Sequence, residues 1–172
     1  GVRTPEVVDT RDGDLLTRVE IAGVPEPRYC DLSRWIDGAQ LGRLEDGVEG
    51  DPEQAAASYC TIGRIAAVVH EHGARWPRPD GFTRPVWDEA SLVGETPAFG
   101  DFRDLACLSA EQLAVLMNAR ALVRERLAAF GRGGDRWGLL HGDFLPEHVL
   151  LASDGPRLID FDARGDGWYL LE

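Results

Sequence analysis

The 172-residue chain contains no lysine: all 18 of its basic residues are arginine, set against 30 acidic residues, for a net charge of −12. So little positive charge argues against a duplex nucleic-acid footprint and against a polybasic membrane anchor, since both need clustered cations. The three cysteines, Cys30, Cys60 and Cys107, never form a CxxC pair. That spacing disfavours a zinc site or a disulfide framework and leaves them as buried small apolar residues. An odd, sparse set of thiols in an acidic chain fits the reducing cytoplasm. No apolar run approaches the roughly 18 to 20 residues of a membrane span, and the first residues lack the basic-then-apolar pattern of a secretion signal. Asparagine occurs once, at Asn118. What is present, 44% apolar and 28% charged residues, is the composition of a soluble globular domain with a core.

The first forty residues read as strands. Val7–Thr10 and Leu15–Ala22 are candidates separated by the Arg11-Asp12-Gly13-Asp14 turn, and a third runs from Arg28 to the Asp37-Gly38 break. Gly38 to Asp51 reads as an acidic linker or short helix. Asp51-Pro52-Glu53 opens a helix with Ala55, Tyr59, Ile62, Ile65, Ala66 and Val69 on one face, and Gly73 is its expected stop. His70 and His72, at that helix end, read as structural or as partners of its dipole. Residues 76–108 hold four prolines and form a long irregular stretch. Ser109 and Gln112 have capping-box spacing and open a helix to about Phe130, with Leu113, Leu116, Met117, Ala121 and Leu127 inward. Arg120, Arg124 and Arg126 read as its solvated face. A strand at 138–140 precedes a hairpin, 149–151 and 157–159, turned at Ser153-Asp154-Gly155.

The chemistry-bearing residues flank that hairpin: His141-Gly142-Asp143, then Glu147-His148 before it, then Asp160-Phe161-Asp162 after it. A hairpin folds its two ends together, so acids and a histidine twelve residues apart converge. Such a set suits a divalent cation and a hydroxyl that must be oriented or deprotonated, and hard oxygen ligands favour magnesium.

The HGD triplet, four spacers, hairpin and Ile159-Asp160-Phe161-Asp162 resemble the aminoglycoside phosphotransferase and choline kinase-like branch of the protein-kinase-like fold, nearest to its homoserine kinase type II-like members. The Phe82–Asp88 segment and the Gly165-Asp166-Gly167-Trp168 tail extend the likeness over roughly residues 5–172. The resemblance implies an α+β fold, with residues 1–38 as partial small-lobe strands and hinge and 39–172 as the large lobe. It implies an ATP- and Mg2+-dependent phosphotransferase acting on a hydroxyl of a small molecule: an antibiotic, an amino alcohol or an amino acid. Asp143 would be the catalytic residue, Asp160 and His148 the metal ligands, and Arg34-Trp35-Ile36 the adenine-facing connection between lobes. His141 would brace the loop. The partners implied are nucleotide and acceptor, with neither nucleic acid nor membrane. In this family a phosphate-gripping loop and a lysine precede the region of Val7, and helices follow the region of Glu172, so these 172 residues are expected to act as a fragment that transfers phosphate weakly or not at all alone. Two other classes stay open: a catalytically reduced nucleotide- or ligand-binding domain, and a Ser/Thr protein kinase. The latter is disfavoured by Gly142 where those enzymes carry Arg.

Overall fold

In the computed structural model, which describes residues 1–48 and 50–172, the elements run β1 (Thr17–Val19), β2 (Arg28–Cys30), β3 (Gly38–Gln40), α1 (Pro52–Arg75), β4 (Val86–Trp87), α2 (Glu89–Val93), α3 (Ala110–Phe130), β5 (Trp137–Leu140), β6 (Val149–Ala152), β7 (Gly155–Leu158) and β8 (Gly165–Trp168). The fold is α+β. The chain divides into two units, residues 1–65 with 145–160 and residues 66–144 with 161–172.

In the first unit β1 and β2 pair antiparallel, with Thr17 opposite Cys30. A second sheet has the order β3-β6-β7, antiparallel throughout, with Gly38 opposite Ala152 and Val149 opposite Leu158. The hairpin therefore lies within a residue or two of its expected place, because Gly155, at φ +119°, supplies a backbone shape that closes the turn and that other residues adopt only at a cost. Val149 and Leu158 are both fully buried. Leu158→Ala is expected to cost about 2–5 kcal/mol, read as a lower urea midpoint with unchanged slope.

The long N-terminal strands contract. Val7 makes only an isolated bridge to Ser33, and the span expected at 15–22 keeps three residues, 17–19. The Asp37-Gly38 break is instead the start of β3, in the span expected to be a linker or short helix. A Cβ on Gly38 would stand 3.0 Å from the Leu151 carbonyl oxygen, so the glycine permits close strand approach and does not end the strand.

In the second unit the sheet order is β4-β8-β5, with β4 parallel and β5 antiparallel to β8. The irregular 76–108 stretch thus supplies a sheet strand, β4, and the short helix α2, which Asp88 caps by accepting from the Ser91 amide at 3.1 Å. Gly73 is no stop: α1 runs on to Arg75. The glycine is needed because its Cβ would come within 2.8 Å of the Leu139 carbonyl oxygen in β5. The core holds Leu140, Trp168 and Leu127, with the Trp168 indole donating to the Gly131 carbonyl at 2.7 Å and meeting Trp137 edge-on.

The capping box of α3 forms as expected between Ser109 and Gln112. Its inward face does not. Only Leu127 is buried, Leu113 is half-buried, and Leu116 and Met117 stand 37% and 38% exposed. The buried anchor of this helix is instead Arg120, expected on the solvated face. Its Nε donates to the Val93 carbonyl at 2.7 Å and its Nη2 to Glu95 at 2.7 Å, so burial is offset by a carbonyl and a carboxylate. All three cysteines are exposed rather than buried: Cys30 lies on a two-stranded ribbon, Cys60 lies off the inward face of α1, and Cys107 sits in a turn.

Candidate active site

Asp143 lies in the second unit, on the loop leaving β5. Its preceding residues are fixed from three sides. His141 is 1% exposed and meets Phe144 and Phe161 edge-on at 5.4 and 4.7 Å, the bracing position expected of it. Gly142 adopts φ +88°, and a Cβ there would lie 2.2 Å from the Ala163 carbonyl oxygen. That carbonyl is itself held by the Trp87 indole N–H at 2.8 Å. The Gly142 amide donates to Glu172 Oε1 at 2.8 Å, and the other Glu172 oxygen is bonded to His70 Nε2, whose ring stacks on Tyr169 at 4.2 Å.

The Glu172 side chain is 1% exposed. A carboxylate this buried is tolerated only when its oxygens are satisfied, which His70 and Gly142 accomplish together. Sequence reasoning missed Glu172, because no spacing joins it to Gly142. His70 is structural as expected, but it serves this carboxylate and not the dipole of α1.

The first unit carries the other candidates. His148 closes a short 3₁₀ turn, Pro146–His148, directly before β6, and its carbonyl accepts from the Ile159 amide at 3.0 Å, extending the hairpin ladder by one rung. This brings His148 Nε2 to 3.6 Å from Asp160 Oδ2. Asp160 adopts φ +61°, alone among non-glycine residues described. Aspartate tolerates this left-handed region better than most side chains, yet the conformation still costs energy and marks a position where side-chain direction is imposed. Glu147 accepts from the Leu44 amide at 2.9 Å.

Among the described residues no group of three acids, histidines or cysteines is gathered, so a metal centre enclosed by protein, as zinc would need, is not built. One half-exposed carboxylate beside one imidazole suits magnesium, which takes one or two protein ligands and fills its other positions with phosphate oxygens and water. Arg34, Trp35 and Ile36 sit together elsewhere in the first unit. They line a cavity of about 280 Å3 with Glu6, Asp37, Asp154 and Arg157. Glu6 holds the segment in place: its carbonyl accepts from the Arg34 amide at 2.8 Å and its carboxylate pairs with Arg34 Nε at 3.2 Å. Trp35 is 89% exposed, an indole face open to solvent.

A strand, a left-handed glycine in an HGD loop, a hairpin and a left-handed aspartate follow one another in the order that the sequence resemblance implied. The model of the phosphotransferase enzyme family matches residues 1–172. The chain belongs to that family. Among solved structures it is similar to the microcompartment-associated aminopropanol kinase, with 34% identity and a TM-score of 0.79 over 98% of this chain and 50% of that one. It is also similar in fold to an amicoumacin kinase solved in complex with AMP-PNP, Ca2+ and Ami, at 15% identity and a TM-score of 0.66, covering 99% of this chain and 46% of that one. This member of the phosphotransferase family therefore spans about half the length of the solved relatives it matches. No curated protein matches it. No helix among the described residues is long and apolar enough to cross a membrane.

Proposed function

We propose that this phosphotransferase-family protein is a kinase for small molecules, transferring the γ-phosphoryl group of ATP to a hydroxyl. The observation that carries this reading is Asp160, held in a left-handed backbone conformation with the His148 ring 3.6 Å from its carboxylate. A chain stores such strain where a side chain must point in one direction.

On this reading Asp143 accepts a hydrogen bond from the acceptor hydroxyl and orients its oxygen toward the γ-phosphorus. The new O–P bond forms as the bond to ADP breaks, and the hydroxyl proton passes to the carboxylate. Asp160 and His148 would hold magnesium, which when bound neutralises charge on the phosphate oxygens. Arg34, Trp35 and Ile36 meet the adenine, so that residues 1–38 serve as small-lobe strands and hinge and 39–172 as the large lobe. The partners are a nucleotide and a small-molecule acceptor. A net charge of −12 is poorly suited to nucleic acid or an anionic membrane, and three exposed thiols suit the cytoplasm.

Calorimetric titration of ATP with and without magnesium, beside Asp160→Ala, tests the reading. Magnesium-dependent binding by the wild type that disappears in the variant supports it, and equal binding by both removes Asp160 from the metal site. A companion variant separates role from fold. Asp160→Gly relieves the left-handed strain and is expected to raise stability by about 1 kcal/mol in thermal melts while losing the magnesium-dependent component.

A further inference from the structure

The second unit contains two arginines whose placement the proposed chemistry leaves unexplained. β4 and β8 run parallel with Val86 opposite Asp166 and Trp87 opposite Gly167, and the Asp166 amide donates to the Pro85 carbonyl at 3.0 Å. Arg84 and Arg164 lie just ahead of β4 and β8, at the same end of this parallel pair. Like charges close together at paired segments oppose folding. In the same unit Arg78, Arg103, Arg120, Arg124 and Arg132 each face a carboxylate. Among the described residues Arg84 and Arg164 do not: Arg164 Nη1 donates to the Phe161 carbonyl at 2.6 Å, and the Arg84 guanidinium lies over the Phe82 ring at 5.5 Å. Burial, and then repulsion from Arg84, lower the Arg164 pKa against the weaker pull of Asp162. In a chain with 30 acids, two arginines at one end of a strand pair that form no ion pair, with Asp162 acting on Arg164 only at longer range, are a charge arrangement open to an anion.

Their position relates the pair to the reacting group. Ala163, the neighbour of Arg164, presents the carbonyl against which Gly142 packs, and Asp143 follows Gly142 directly. The Trp87 indole that donates to this carbonyl is stacked at 5.1 Å by Phe99, which is 77% exposed and forms an aromatic wall beside the loop.

We propose that Arg84 and Arg164 form an oxyanion subsite for the acceptor, holding a carboxylate or phosphate group of the molecule whose hydroxyl meets Asp143. Planar guanidinium forks match such groups by paired N–H···O bonds. The acceptor is then a hydroxy acid or a hydroxyl-bearing phosphate ester, not a plain amino alcohol. The acceptor's identity rests on the kinase reading, but anion capture by the two arginines does not, and is measured without turnover.

The experiment follows the arginine side-chain Nε–H signals of the 15N-labelled chain by NMR during titration with sodium acetate and, separately, inorganic phosphate. Sodium chloride holds the ionic strength constant. Saturable shifts of the Arg84 and Arg164 signals with at least one probe are expected, and the Arg164 shift should vanish in Arg84→Gln. Saturation by acetate assigns a carboxylate, and saturation by phosphate alone a phosphate ester. Arg84→Gln should also melt at a higher temperature than wild type in chloride, because it removes the repulsion, a gain that a merely structural arginine would not give. Arg164→Gln repeats the binding arm from the other side. Drift shared by all arginine signals, an Arg164 shift that persists in Arg84→Gln, or a lower melting temperature for Arg84→Gln would each overturn the subsite. Saturable anion binding in a chain that takes up no ATP would leave the subsite standing and remove the kinase reading.

Discussion

Asp143→Asn is expected to lower phosphoryl transfer by about 10²- to 10⁴-fold while ATP affinity stays near the wild-type value. The substitution keeps the size and shape of the side chain and removes its negative charge, so the acceptor hydroxyl loses both its orienting acceptor and the destination of its proton. On the proposed reading nucleotide binding falls to other residues, Asp160, His148 and the 34–36 segment, and calorimetry should find it unchanged. The same loop is buttressed independently of the Asp143 side chain: His141 is packed between two phenylalanines and the Gly142 amide is tied to Glu172. The variant is therefore expected to fold, and its urea midpoint is measured beside its kinetics. Steady-state kinetics on the protein with saturating acceptor supply the comparison, and turnover close to wild type would take Asp143 out of the mechanism.

Gly142→Ala is expected to cost about 3 kcal/mol or more. Two penalties coincide there. The φ of +88° lies where a side chain costs roughly 1–2 kcal/mol. The added carbon would also stand 2.2 Å from the Ala163 carbonyl oxygen and 3.1 Å from the Trp87 indole nitrogen, which are joined to each other by a hydrogen bond. Neither can retreat without breaking that bond, so the Trp87 fluorescence should change along with the midpoint. Gly63→Ala is the control. It lies in the middle of α1 with nothing within 4 Å of its missing Cβ, and the added methyl should stabilise the helix by about 0.5–1 kcal/mol. Equal effects at the two glycines would show that backbone conformation and close approach at Gly142 contribute nothing.

The parts of this fold that could be read in the sequence are those whose determinants are local. The α3 cap needed only Ser109 and Gln112 three residues apart, and the β6–β7 turn needed only its glycine. The HGD loop and Asp160 were legible for the same reason: residue type and spacing along one short stretch carry them. Parts that depend on distant partners were not legible. β3 looked like a linker because its partner strand lies far along the chain, and Gly73 looked like a stop because Leu139, which it must admit, lies 66 positions on (139 − 73). Arg120 read as solvated because its acceptors, Val93 and Glu95, sit in a stretch without periodicity. Glu172 is the clearest case, since a carboxylate's burial is decided wholly by what meets it in space.

The pairing of β3 with β6 also bears on how the protein is made. Gly38 finds its partner at Ala152, 114 residues later (152 − 38), and both strands belong to one unit whose chain is interrupted by the other. At roughly 5–20 residues per second, a ribosome takes about 6–23 s to supply the missing strand. Throughout that interval β3 is a nascent strand with an unmet edge, while residues 66–144 of the second unit are being synthesised. Slowing synthesis between residues 41 and 148 should therefore lower soluble yield more than slowing it after residue 160, when every strand of the first unit has its neighbour.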